Sequence, residues 1–393
     1  MATESMEAPS SKGYWGTVET WGYANSLTMV LVLISAPILG ALSDQAGRRL
    51  PFLMVCTVAC VAFTAALGLG GLWGTLAVFV VANYFFQASL IFYDATLPVV
   101  STKRTRGVVG GFGIGLGYLG SFIAVLIALF LVDMIGEVGA FRVTALLFAI
   151  FAVPIFLFVK EPQVRANVSV DFGAVRKAFA QVRDTFRHLP RYRGLGRFLV
   201  GRAFYTDAAN TVIIFLVIYT TEAVGFSDTR AQLLMMVAIV FAVLGGLTLG
   251  SVVQRIGPKR TLDFVLVLWV VSLSGAVAVP VLGIPTIWFW PVACLAGIAL
   301  GGTWAADRPY MLILAPPRRL GEFYGLYSMV GRFSGAIGPA MFALVSVRLD
   351  LGLPAAMGSL LLWIVIAWWI LRGVSDEERE WGPEDRVALE ATG

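Results

Sequence analysis

The ten residues Gly40–Arg49, GALSDQAGRR, decide how the rest of this sequence is read. They end an apolar run and turn it into a short basic loop. Gly40 has no side chain, so two helix backbones can approach closely there. Gly47 can take the left-handed conformation that a tight turn needs. Asp44 can accept hydrogen bonds from the free N–H groups of a neighbouring helix N-terminus, where the helix dipole favours an anion. Arg48 and Arg49 can hold carboxylates or lipid phosphates. The stretch returns in degenerate form as GSVVQRIGPK, Gly250–Lys259, an offset of 210 residues (40 to 250). Gln254 replaces Asp44 in that copy, which predicts a weaker contact.

Outward from this loop the chain is mostly hydrocarbon. Apolar residues make up 58% of it and charged residues only 13%. Several runs exceed 20 residues with almost no charge, enough to cross a bilayer core about 30 Å thick. A β-barrel would instead show short strands of alternating polarity. The reading is an all-α, multi-pass membrane protein with eleven apolar segments: 21–43, 51–70, 75–100, 107–132, 142–159, 197–221, 230–253, 261–282, 286–314, 322–346 and 354–373. Five spans (21–159) and six spans (197–373) flank a polar linker at 160–196, with a polar tail at 1–20 and another at 374–393. No cleavable signal peptide is visible in the first 20 residues. Cys56 and Cys60 fall one turn apart in an apolar helix and read as packing residues.

Loop charges write the orientation. One set of alternate loops holds Arg48, Arg49, Lys103, Arg104, Arg106, the basic run from Lys160 to Arg197, Arg255, Lys259, Arg260, Arg318 and Arg319. The other set holds only Arg142, Arg230 and Arg348. The first set is therefore expected in the cytoplasm. The net charge of +5 is absorbed by this pattern, and no nucleic-acid partner is expected. Within the linker, Phe172, Val175, Phe179, Val182, Phe186 and Leu189 recur every three or four residues, between a candidate N-cap at Asp171 and a stop at Pro190. Arg176, Lys177, Arg183 and Arg187 make the other side cationic. This predicts a helix over 171–189 on the inner leaflet facing anionic lipid, with a regulatory partner site as the alternative.

The duplicated loop places both halves under one pattern, and repeats related by an axis along the membrane normal are a transporter architecture. GALSDQAGRR resembles the loop signature of the major facilitator superfamily, Gly-x-Leu-Ser/Ala-Asp-x-x-Gly-Arg-Arg/Lys. FYDATLPVVSTKRTRGVVGGFGIGLGYLGS, YTDAANTVI and GEFYGLYSMVGRFSGAIGPAMFALV resemble the branch of fungal vacuolar amino-acid effluxers and their bacterial "unknown major facilitator" relatives. The likeness runs from about Trp21 to Arg372. It implies a major facilitator-like two-bundle fold, here with about 11 helices (5 + 6). It also implies a cytoplasmic gate of Gly40, Asp44, Gly47, Arg48 and Arg49, in which Asp44 locks the helix beginning near Gly321. A purely topogenic loop is the alternative. That branch opens with a helix carrying a Tyr-Asp-Trp-Ala-Asn-Ser-like stretch. Nothing in residues 1–20 matches it, and the segment from Trp21 resembles the family's second helix. A start placed too late, or a truncated homologue, would account for this.

Ionisable groups within a span cost at least ~2.5 kcal/mol, so each is a functional hypothesis. The third span holds Asn83, Gln87 and Asp94. The sixth holds Arg202, Tyr205, Asp207 and Asn210, the ninth Asp307 and Arg308, and the tenth Arg332. By resemblance the third, sixth and ninth line a central cavity. Asp207 and Asn210 share a helix face and are expected to meet solute or proton, or else to form a buried packing cluster. Aligning the halves sets Asp94 opposite Arg308, a pair expected to meet across the cavity, with Asp307 as the alternative partner of Arg308. Arg332 is expected to face the same space. Together these imply a secondary transporter of a small solute. Efflux of an amino acid or related zwitterion is what the resemblance implies, with protons as a candidate coupling ion and a bacterial cytoplasmic membrane as the location. A truncated, non-transporting scaffold is the alternative. No nucleotide motif, His-Glu-x-x-His or Gly-x-Ser-x-Gly stretch is present, so no enzyme activity, cofactor or metal is expected.

Overall fold

Backbone polar groups inside a bilayer must be satisfied within their own segment, and in apolar runs of this length the helix does so. The computed structural model describes residues 11–161, 172–188, 192 and 194–377, with side chains from Tyr23 onward apart from a few positions. Among the described residues there is no strand. The first half contains α1 (Ser11–Ala46), α2 (Leu50–Ala65), α3 (Gly71–Ala95), a single turn α4 (Leu97–Val100), α5 (Arg106–Phe130) and α6 (Val132–Phe158). The linker helix α7 spans Phe172–His188. The second half contains α8 (Leu195–Glu222), α9 (Asp228–Ile256), α10 (Pro258–Val281), α11 (Phe289–Leu314), α12 (Leu320–Ala343) and α13 (Gly352–Leu371).

Ten of these helices are long and apolar enough to cross a membrane. The eleventh apolar segment, α2, has 16 residues and rises about 24 Å. Several boundaries differ from the sequence reading: α6 starts at Val132, ten residues before the expected 142, and α2 ends at Ala65, five before the expected 70. The helix of the first span starts at Ser11, ten residues before the expected span. The third span breaks at Thr96, because Pro98 has no N–H to give the carbonyl four residues earlier. Asp94 therefore sits in the last turn of α3, not deep within a span.

Across the halves, α1 packs on α12 and α5 on α9, and these are the most extensive contacts between them. Both are backbone-to-backbone seams at the end that carries the basic loops. A methyl group at Gly40 would strike the Gly321 carbonyl, and one at Gly325 would strike that of Ala36. On the other side Gly107 faces the Gly250 carbonyl and Gly111 lies against Gly246 and Gly250. Further along α5, Gly117 and Gly120 have open space above them. The halves thus converge at the basic end and part beyond it.

The internal repeat extends to helix caps. After α6, the Glu161 carboxylate accepts from the Arg49 and Leu50 N–H groups at 2.7–2.9 Å and caps α2. After α13, Asp376 accepts from the Lys259 N–H at 3.1 Å and caps α10. Arg49 and Lys259 differ by the same 210 positions (259 minus 49) as the loops themselves.

Candidate functional site

The α1–α12 seam is built by the opening decapeptide. Gly47, at φ 63, reverses the chain after α1. Asp44 is thereby carried to the start of α12, where its carboxylate accepts from the Gly321 N–H at 2.9 Å and the Glu322 N–H at 2.8 Å. These are two of the N–H groups a helix leaves free at its beginning. Arg49 donates to the same carboxylate from Nη2 at 3.0 Å, while Arg48 is exposed. The pseudo-equivalent Gln254 does related work at the α5–α9 seam. Its Oε1 accepts from the Gly107 N–H at 3.1 Å and its Nε2 donates to the Lys103 carbonyl at 3.2 Å.

The linker helix α7 lies over the first seam. Ala178 is fully buried in a cluster with Ala41 and Leu42, and Val182 packs beside it. Gln181 donates to Glu322 at 2.6 Å and accepts from Gln45 at 3.2 Å, so it touches both halves. The docked face is Ala178, Gln181, Val182 and Thr185, with i, i+3, i+4, i+7 spacing. Of the expected apolar stripe, Val182 is on this docked face and Phe179 is 53% exposed. Short side chains win this contact because α7 must fit against the crowded seam. Arg176, Lys177, Arg183 and Arg187 are exposed. Asp171, Leu189 and Pro190, and the side chains of Phe172, Val175 and Phe186, lie outside the described residues.

Above the seam the two halves meet through charge. Arg308 Nε of α11 lies 3.1 Å from Asp94 Oδ1 of α3, and the guanidinium stands over the Tyr93 ring, 5.5 Å from its centroid. The Tyr324 hydroxyl donates to the Arg308 carbonyl at 3.0 Å. Asp307 is not the partner of Arg308. Its carboxylate points the other way and accepts from Arg202 Nε at 3.1 Å, the Tyr205 hydroxyl at 2.7 Å and the Tyr327 hydroxyl at 2.9 Å. Arg202 also donates to the Tyr327 carbonyl at 2.9 Å and stacks over that residue's ring.

Tyr205, Asp207 and Asn210 do not form one constellation. Residues two apart on a helix do not share a face, so Tyr205 turns to Asp307 while Asp207 turns to α12. Asp207 is fully buried, and its Oδ1 accepts from the Gly338 N–H at 2.8 Å. Asn210 lies beside Gly335. Neither reaches the Asp94–Arg308 pair through any contact among the described residues. Asn83 donates to Asn25 Oδ1 at 3.1 Å and accepts from Gln87 at 3.4 Å, forming a polar chain between α1 and α3. Arg332 lies on α12, within electrostatic reach of Asp94 and Arg202.

A family model described as vacuole effluxer Atg22-like matches residues 20–378. The chain belongs to this Atg22-like family. A Bacillus subtilis (strain 168) protein described as an MFS-type transporter, YxiO, is 28% identical over 370 residues, covering 91% of this chain and 84% of its own. Autophagy-related protein 22 of Yarrowia lipolytica is 24% identical over 271 residues, which is 60% of this chain and 45% of that one. Among solved structures, the major facilitator transporter FucP in its outward conformation superposes with a TM-score of 0.69 at 14% identity, covering 94% of this chain and 91% of FucP. The Atg22-like chain is thus an MFS-type membrane transporter in fold.

Within this Atg22-like site, sequence reading misses the partner of Arg202, the tyrosines Tyr324 and Tyr327, and the acid Glu322. GEFYGLY holds the signal: Glu322 opens a helix and Tyr324 and Tyr327 stand three apart on one face. Asp307 and Arg202 are 0% and 4% exposed, so removing one strands the other. Asp307→Ala is expected to cost ~3–5 kcal/mol, read as a lower unfolding temperature and reduced yield in detergent. Tyr205→Phe removes one of three donors and should cost only about 1 kcal/mol.

Proposed function

We propose that this chain is a secondary transporter that carries a small zwitterionic solute, such as an amino acid, by alternating access, and that efflux is its working direction. The observation that carries this reading is the Asp94–Arg308 pair. It joins α3 of one half to α11 of the other, just above the closed seams, where rocking of the halves must break it. With basic loops assigned to the cytoplasm, the form described is closed on that side. Asn83, Asp94, Tyr205, Asn210, Asp307, Arg308 and Arg332 are assigned to the pathway or its supporting wall. Gly40, Asp44, Gly47 and Arg49 are assigned to the cytoplasmic gate, with Arg48 exposed at its rim. The cationic side of α7 is suited to the anionic lipid of a bacterial cytoplasmic membrane.

Asp207 is the carboxylate assigned to the proton. One oxygen holds the Gly338 N–H, and the other is buried without a hydrogen-bond partner among the described residues. That oxygen can only accept a bond while ionised, and it can donate one when it carries a proton. In proteoliposomes screened against amino acids with and without a pH gradient, the native protein should move at least one solute faster with the gradient. Asp207→Asn should retain solute exchange and lose the response to the gradient. An equal response in both proteins would remove Asp207 from this role, and a screen with no flux would count against the transporter reading.

A further inference from the structure

Three guanidinium groups lie within the spans of the second half, and two carboxylates answer them. Arg202 has Asp307 at 3.1 Å and Arg308 has Asp94 at 3.1 Å. Arg332 has no ion pair among the described residues, and its buried Nε has no hydrogen-bond partner there. Its nearest neighbours along α12, Gly331 and Phe333, bring no charge. Arg332 stands ten residues beyond Glu322, so about 15 Å along α12 from the closed end. Its helix α12 packs against α3 of the first half and α8 of its own, so Arg332 stands where the halves meet. An uncompensated cation in a membrane interior is expensive and is retained where something anionic visits it.

We propose that Arg332 anchors the carboxylate of the transported solute. The proposal rests on the transporter reading and adds a recognition rule to it: the solute carries a carboxylate, and its neutral amide is excluded. Resident acids do not compete, because Asp307 is held by three donors and Asp94 by Arg308. A guanidinium can hold a carboxylate through two parallel N–H bonds, a geometry a lysine ammonium cannot copy. The site is then short of one negative charge until solute binds.

The test is thermal stabilisation of the full chain in detergent, titrated with L-leucine, L-glutamate and lactate, each against its amide. The native protein should be stabilised by at least one acid and not by the matching amide. Arg332→Gln should weaken half-saturation by that acid roughly 10- to 100-fold. Arg332→Lys should recover part of it. Without solute, Arg332→Gln should unfold no earlier than the native protein, because it removes an unanswered charge. Three results would overturn the proposal: none of the three acids stabilises the native protein, acid and amide act alike, or Arg332→Gln leaves half-saturation unchanged. Stabilisation that follows this rule without flux in proteoliposomes would uphold the anchor and remove the transporter reading, so the two failures are told apart.

Discussion

Gly40→Leu will leave the protein inserted and folded but will cut transport about 100-fold. The side chain would begin where the Gly321 carbonyl already is, and a backbone atom in a helix cannot step aside. Separating α1 from α12 withdraws the Gly321 and Glu322 N–H groups from Asp44. Overpacking of this kind costs ~3 kcal/mol in the closed form alone, which lowers its population about 100-fold. The accompanying readout is a cysteine at Ser43, which is fully buried in the seam. With Cys56, Cys60 and Cys294 replaced by alanine, Ser43→Cys should resist a membrane-impermeant thiol reagent and become reactive once leucine stands at position 40. A silent Gly40→Leu would mean that the seam does not take part in the cycle.

The second large effect concerns the charge pair that spans the halves. Asp94→Asn leaves Arg308 without its counterion, and Arg308→Gln leaves Asp94 without its own. Asp94 is 7% exposed and Arg308 20% exposed, so water screens only part of the penalty. Each single change should lower transport by roughly tenfold or more, since breaking a buried pair costs several kcal/mol. The double variant should lose less than the two losses multiplied, with a coupling of at least about 1 kcal/mol. The exchange Asp94→Arg with Arg308→Asp should recover measurable transport. Strictly multiplicative losses would show that the two groups act separately and that the pair is no switch.

Much of this architecture is legible in the residues themselves. The decapeptide at Gly40 and its echo at Gly250 fix two halves, because a repeated glycine, turn and acceptor have few other uses at the end of an apolar helix. The cross-half pairing of Asp94 with Arg308 follows from aligning the repeats. Tertiary choices stay out of reach of the sequence. Arg202 has no acid three or four residues away on its own helix, and only packing brings it Asp307 of α11. Asp207 and Tyr205 look like one motif on paper, yet two residues on a helix subtend nearly opposite directions. In α7, periodicity finds the helix but not the seam it docks against: Ala178 and Thr185 stand outside the apolar stripe, and they are what fit. The end of α3 at Thr96 is blurred in the sequence because apolar residues continue through Pro98 to Val100.

Asp44 and Gln254 occupy matching places with unequal chemistry, and in the proposed rocking cycle that inequality gives the opening a handedness. Parting α1 from α12 exposes an anion that had been cradled by amides, and Arg49 must follow or forfeit it. Parting α5 from α9 releases the neutral amide contacts of Gln254 between glycine-smooth surfaces. One edge therefore behaves as a latch and the other as a hinge, and the energy that governs the swing is concentrated on the latch side, under the clip formed by α7.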